Sequence, residues 1–281
     1  MKVWLGSRPI VMKRKKQRLR HDFFIVNLNI SLISFFYVIF CMNKGIIFDM
    51  DGVLIDAMPF HAEAMRLAIK EETKHDINKK IVYLLEGLPG SELVKEIFKR
   101  EKIDKNLDDN IAERIGKRKK EIFKEIQNSK PIEGVTELLS ELKGCRCLKA
   151  VVSGSSKEEI ETILDENIGS NNFDFVISGD DLKEGQGKPD PASFQRALQR
   201  MNSTTSEAIV VENSPLGVEA ANKAGIPYIV TLNNTPLEIS DFGSLLEGDK
   251  QNNRIFKDTK AATSFLKDWC CNKFYILTAK Q

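Results

Sequence analysis

The stretch whose reading decides the fold is KGIIFDMDGVLIDAMPFH, Lys44 to His61. The run Gly45-Ile46-Ile47-Phe48 leads straight into Asp49 and Asp51. A short apolar run that stops at turn-forming residues reads as a buried strand. Two carboxylates at its end repel each other, and burial makes both resist ionisation. Either a cation lies between them or one of them works as an acid.

Downstream of this strand the pattern is helical for a long way. Pro59 to Glu72 places Phe60, Ala64, Leu67 and Ala68 on one stripe. Ile77 to Leu85 and Ser91 to Arg100 continue it, split by Glu86-Gly87-Leu88-Pro89-Gly90, a loop by composition. Asp108 to Gln127 is a charged amphipathic helix with Ile111, Ile115, Ile122 and Ile126 on one side. Residues 57–130 therefore read as a small helical bundle.

From Pro131 helices and strands alternate. Helices are predicted over Glu133 to Lys143, Lys157 to Glu166, Pro191 to Met201 and Leu216 to Ala224. Strands are predicted over Leu148 to Val152, Phe173 to Ile177, Ala208 to Val211 and Pro227 to Leu232. Strands separated by single helices imply right-handed crossovers and a parallel sheet. The predicted fold is α/β, a Rossmann-like parallel-sheet core with an inserted α-helical cap. The core takes 43–56 and 131–281, and the cap takes 57–130.

In an open parallel sheet, ligands bind beyond the carboxyl ends of the strands. That edge receives Asp49 and Asp51, then Ser153 and Gly154, then Lys188 through a loop, then Glu212 and Asn213. Carboxylates, a hydroxyl, an ammonium and an amide suit a divalent cation and a phosphate.

Four segments in this order resemble the motifs of the haloacid dehalogenase superfamily: Asp49-Met50-Asp51-Gly52-Val53, Ser153 after its strand, Gly187-Lys188-Pro189-Asp190-Pro191, and Glu212-Asn213-Ser214-Pro215-Leu216-Gly217. The helical insertion resembles the superfamily's cap, in the β-phosphoglucomutase and phosphoglycolate phosphatase branch. The resemblance spans roughly residues 44–235. It implies Asp49 as nucleophile, forming an aspartyl-phosphate, and Asp51 as the acid that then helps activate water. It implies Mg²⁺ between Asp49 and the main-chain carbonyl of Asp51, with Glu212 and Asn213 beside it. Ser153 and amides near Gly154 would hold phosphoryl oxygens, Gly52 after the aspartate pair would bind substrate too, and Lys188 would neutralise charge. His61, near the hinge, and Glu86, in the cap loop, are expected to face substrate. Each also has a plainer reading, His61 as a packing residue and Glu86 as a solvated one. Ser153 has one too, as a helix cap.

The chain departs from the family in two places. Asn213 stands where an acid is usual, which leaves Glu212 to balance the metal. Ala57 stands at the first hinge where mutases often carry a hydroxyl, which leans toward a phosphatase. The expected function is Mg²⁺-dependent hydrolysis of a small phosphorylated metabolite. A sugar-phosphate mutase and a pyrophosphatase, with Glu86 at the small leaving group, are the alternatives. Asp51 disfavours dehalogenation. A membrane-tethered binding protein with a degenerate site is the non-enzymatic alternative.

The chain of 281 residues is 42% hydrophobic and 29% charged, ordinary for a globular protein. Residues 1–42 hold eight Lys/Arg and one Asp, a charge of +7. The remainder holds 34 basic and 39 acidic residues, a charge of −5, which argues against a nucleic-acid partner. Phe23 to Met42 is twenty residues without a charge, long enough for a membrane span. Asn27, Asn29, Ser31 and Ser34 dilute it, and Met42 offers an alternative start just before the first strand. The expectation is a cytoplasmic monomer without an anchor. The five cysteines, Cys41, Cys145, Cys147, Cys270 and Cys271, lack a zinc spacing and read as free thiols of a reducing compartment.

Overall fold

The computed structural model describes residues 44–103, 109–246 and 253–271. The first strand, β1, is Gly45–Asp49 and is buried along its whole length. Four helices follow: α1 (Met58–Thr73), α2 (Lys80–Leu84), α3 (Gly90–Arg100) and α4 (Asp109–Ile126). The α/β body continues with α5 (Val135–Leu142), β2 (Leu148–Val152), α6 (Lys157–Asn167) and β3 (Phe175–Ile177). Next come α7 (Ala192–Met201), β4 (Ala208–Glu212), α8 (Pro215–Ala224) and β5 (Tyr228–Thr231). A pair of 3-10 turns spans Ile239–Leu246, and β6 (Arg254–Phe256) and α9 (Thr259–Cys271) complete the fold.

The six strands form one sheet in the order β3-β2-β1-β4-β5-β6. Every pairing is parallel. Alternate residues of β1 serve two cores, as a pleat with period two requires. Ile46 and Phe48 pack with Val135, Leu139, Leu164 and Leu266 on one face. Ile47 packs with Phe194, Val218 and Ala221 on the other. A sheet covered on both faces explains why its strands read as continuous apolar runs.

The chain leaves β1 for the cap and returns beside its own exit. The Asp56 N–H donates to the Lys130 carbonyl at 2.8 Å, and Ile55 bridges Pro131. The cap helices bury Ala64, Met65, Ile69, Val94, Ile97 and Ile115 among themselves. On α1 Ala64 and Ala68 are buried as predicted, together with Ala62, Met65 and Ile69, whereas Phe60 and Leu67 are half-buried at the edge of the stripe.

Two sequence expectations change. The C-terminal β6 and α9 were not predicted, although Ala262, Leu266, Trp269 and Cys270 have helical spacing and are buried. The cysteines of the body are not free thiols. Cys145 is bonded to Cys271 and Cys147 to Cys270, with Cα separations of 5.1 and 5.6 Å. Packing of α9 against α5 sets its last turn beside the segment entering β2, and no sequence spacing reports that. Among the described residues, no helix is long and apolar enough to cross a membrane. Residues 1–42, with the 23–42 segment and Cys41, lie outside the described residues.

Candidate active site

The sheet order reverses around β1, with β2 on one side and β4 on the other, and this crevice is where such folds place ligands. Register does the positioning. Asp49 lies level with Val152, so Ser153 follows just beyond it. Phe48 lies level with Val211, so Glu212 comes opposite Asp49. The loop before α7 brings in Lys188.

Lys188 is the hub. Its Nζ donates to Asp49 Oδ1 and to Glu212 Oε1, and all three side chains are buried. Burial alone would lower the lysine's pKa, but the two carboxylates hold it above the usual value. For Asp49, desolvation pushes the carboxyl up to about 8, and Lys188 opposes this.

Glu212 has no free oxygen. Its Oε2 accepts from Asn213 N at 3.0 Å, Ser214 N at 3.2 Å and Ser214 Oγ at 3.1 Å. It is lodged against the N-terminus of α8, where a Cβ on Gly217 would fall 2.0 Å from its Oε1. The Gly217 position therefore requires glycine.

Three buried oxygens in the site have no partner: Asp49 Oδ2, Asp51 Oδ1 and Asn213 Oδ1. Hard oxygen donors of this kind fit Mg²⁺. Among the described residues there is no group of three or more His, Cys, Asp or Glu side chains arranged to hold a metal, so a cation here would depend on Asn213 and main-chain oxygen.

The turn after Asp51 folds back on itself, with Gly52 N donating to Ile55 O at 2.7 Å. Gly52 has φ +84°, and a Cβ there would meet Asn213 Nδ2 at 2.1 Å. Asn233 Nδ2 holds the Gly52 carbonyl at 3.0 Å, a support that sequence reading missed. Ser153 is buried and its Oγ accepts from Ser155 N at 3.3 Å. It does not cap α6, because Ser156 does so with Glu159 in a capping box. Gly154 is exposed in the loop beside it.

The cap supplies the other wall. Glu86 Oε2 accepts from Asn213 Nδ2 at 3.0 Å. Desolvation first, then Asp49 and Glu212, raise its pKa well above the ordinary value. Gly87 rests on the Lys188 stem, and a Cβ there would lie 2.7 Å from Lys188 Cβ. His61 Nε2 lies 3.8 Å from Asp51 Oδ1, and its ring stacks on Phe123 with centroids 4.0 Å apart. Lys119 Nζ sits 2.8 Å from His61 Nδ1. Burial and then Lys119 lower the pKa of His61. Burial also lowers Lys119, to about 8. Lys119 was missed because it lies in the run Lys117-Arg118-Lys119-Lys120, which reads as a solvated face.

A parallel α/β sheet with a helical cap, and an aspartate pair and lysine at its switch point, defines a phosphoryl-processing hydrolase. A family model described as haloacid dehalogenase-like hydrolase matches residues 46–231. The chain belongs to that family, in the branch resembling β-phosphoglucomutase and phosphoglycolate phosphatase, and is a phosphoric monoester hydrolase. It is 33% identical over 189 residues to a phosphorylated carbohydrates phosphatase of Thermotoga maritima, covering 66% of this chain and 83% of that one. It is 28% identical over 188 residues to a fructose-1-phosphate phosphatase of Escherichia coli, covering 66% and 94%. Among solved structures, a putative β-phosphoglucomutase from Bacteroides vulgatus is 30% identical, with a TM-score of 0.65 and coverage of 80% and 87%.

Proposed function

We propose that this chain is a Mg²⁺-dependent phosphatase that hydrolyses a small phosphorylated metabolite through an aspartyl-phosphate on Asp49. The observation that carries the reading is the state of Asp49. One of its oxygens is held by Lys188, and the other is buried, bare and at the switch point. The ionised form of Asp49 attacks phosphorus through the bare Oδ2, and the P–O bond to the leaving group breaks. Asp51 gives that oxygen its proton, then takes one from the water that attacks phosphorus and frees Asp49. Ser153 and the amides after it hold the phosphoryl oxygens.

Lys188 balances the nucleophile before attack. Glu212 orients Lys188, because both its oxygens are already taken. With the Lys119 ammonium donating to Nδ1, the His61 proton sits on Nε2 and faces Asp51. Mg²⁺, held by Asp49, Asn213 and the Asp51 carbonyl, would supply the charge that lets phosphate approach two carboxylates.

A second reading is favoured by Glu86. Glu86 brings a cap carboxylate against Asn213 and narrows the site beneath the cap. That suits a leaving group as small as phosphate, and so inorganic pyrophosphate. Ala57 at the hinge speaks against the mutase alternative. One panel tests the readings together: released phosphate from sugar phosphates, phosphoglycolate and pyrophosphate, with the wild type, Asp49→Asn and Glu86→Gln. Asp49→Asn is expected to lose nearly all activity while keeping its fold. Glu86→Gln lowers pyrophosphate turnover selectively only if the second reading holds.

A further inference from the structure

We propose that Lys80 and Asp241 form a latch that sets the cap's closed position and thereby places Glu86 in the active site. The proposal rests on the reading of the 86–89 loop as the cap's face of that site. Lys80 Nζ lies 2.8 Å from Asp241 Oδ2, joining the cap to the segment after β5. Lys80 begins α2, with its N–H capped by Asn78 Oδ1 at 3.0 Å. The same helix ends at Leu84, and the chain then runs through Leu85 to Glu86. A five-residue helix is about 8 Å long, so it transmits position as a short rigid rod. It is pinned at both ends, by Asp241 at its start and by Asn213 just beyond its finish.

The core side of the latch is preorganised. Asp241 Oδ2 accepts from Glu238 N at 2.7 Å, and Asp241 N donates to Glu238 O at 2.9 Å. Its own turn therefore aims the carboxylate. That turn is moored in turn by Tyr228 Oη, which donates to Leu245 O at 2.8 Å, and by buried Phe242. The Asp241 side chain is 16% exposed and the Lys80 side chain 35%, so solvent and salt still reach the pair. Opening the cap separates the two charges. A partly exposed pair of this kind is worth roughly a two- to fivefold change in the closed-to-open ratio. Where closure is favourable in the complex, that factor appears in KM and leaves kcat nearly unchanged.

The test measures closure without chemistry. Spin labels on unnatural residues at exposed Lys120 of the cap and exposed Lys223 of the core report their separation in the substrate-free enzyme. The open fraction should rise from wild type to Lys80→Met and further in Lys80→Glu, with circular dichroism unchanged. Asp241→Asn, which keeps an acceptor for Glu238 N, should match Lys80→Met, and the double variant should add nothing. Salt should open the wild type and leave Lys80→Met unmoved. KM for p-nitrophenyl phosphate should rise two- to fivefold in Lys80→Met, with kcat held. Identical distance distributions and salt responses in wild type and variants would overturn the latch. Absence of phosphatase activity even in the wild type would overturn the assigned reaction instead, and the distances would still decide the latch.

Discussion

Gly217 marks how tightly the site is built. A methyl group there would overlap the Glu212 carboxylate, which has Lys188 on one side and main-chain amides on the other and cannot retreat. Gly217→Ala is expected to destabilise by about 1–3 kcal/mol, as overpacking does, and to displace Lys188. Chemical denaturation and phosphate release check both. Lys119 gives a pH prediction with a definite sign. Its folded pKa of about 8 lies below the ordinary 10.5, so the unfolded chain binds more protons between these values. Stability therefore rises with pH across that window, and the full cost of the buried charge is present below pH 8. Lys119→Met should be more stable than wild type at pH 7, by no more than about 3 kcal/mol, and should lose the rise above pH 8. Denaturation at pH 7 and 9.5 reads this directly. At Asn213 the expected change concerns the metal. Asn213→Asp adds a charge beside two bare oxygens and should tighten Mg²⁺ on titration, whereas Glu212→Gln should weaken activity through Lys188.

The disulfides belong to the scale of elements. Cys145–Cys271 and Cys147–Cys270 close loops of 126 and 123 residues between the same two segments. Either alone constrains the unfolded chain, by about 5 kcal/mol in the chain-entropy account. The second then closes only a small ring and adds little. Replacing one pair by serine should shift the denaturation midpoint slightly, and replacing both should shift it far more. This pairing was illegible in the sequence because it depends on where α9 docks, and α9 itself was not predicted. The strands that carry the site were legible for the opposite reason. Each is a short buried apolar run that stops at a polar residue, so β1, β2 and β4 announce Asp49, Ser153 and Glu212 by local pattern alone. Glu86, Lys119 and Asn233 act across tertiary distance. Of these only Glu86 could be picked out, from the Gly/Pro loop that holds it.

At the scale of the molecule, the cap is an insertion that leaves and returns at one point, so it can move as a body over the carboxyl edge of the sheet. Every residue assigned to the site lies downstream of Lys44. A chain beginning at Met42 is therefore expected to be soluble and fully active, and membrane-bound activity of the whole chain with an insoluble shortened one would contradict that. The proposed reaction passes through a covalent bond at Asp49. The most direct measurement is to trap the enzyme during turnover with borohydride, which reduces an aspartyl-phosphate to homoserine, and to weigh the peptide containing Asp49. Conversion is expected at Asp49 in the wild type and not at Asp51. An untouched Asp49, together with an active Asp49→Asn enzyme, would contradict it.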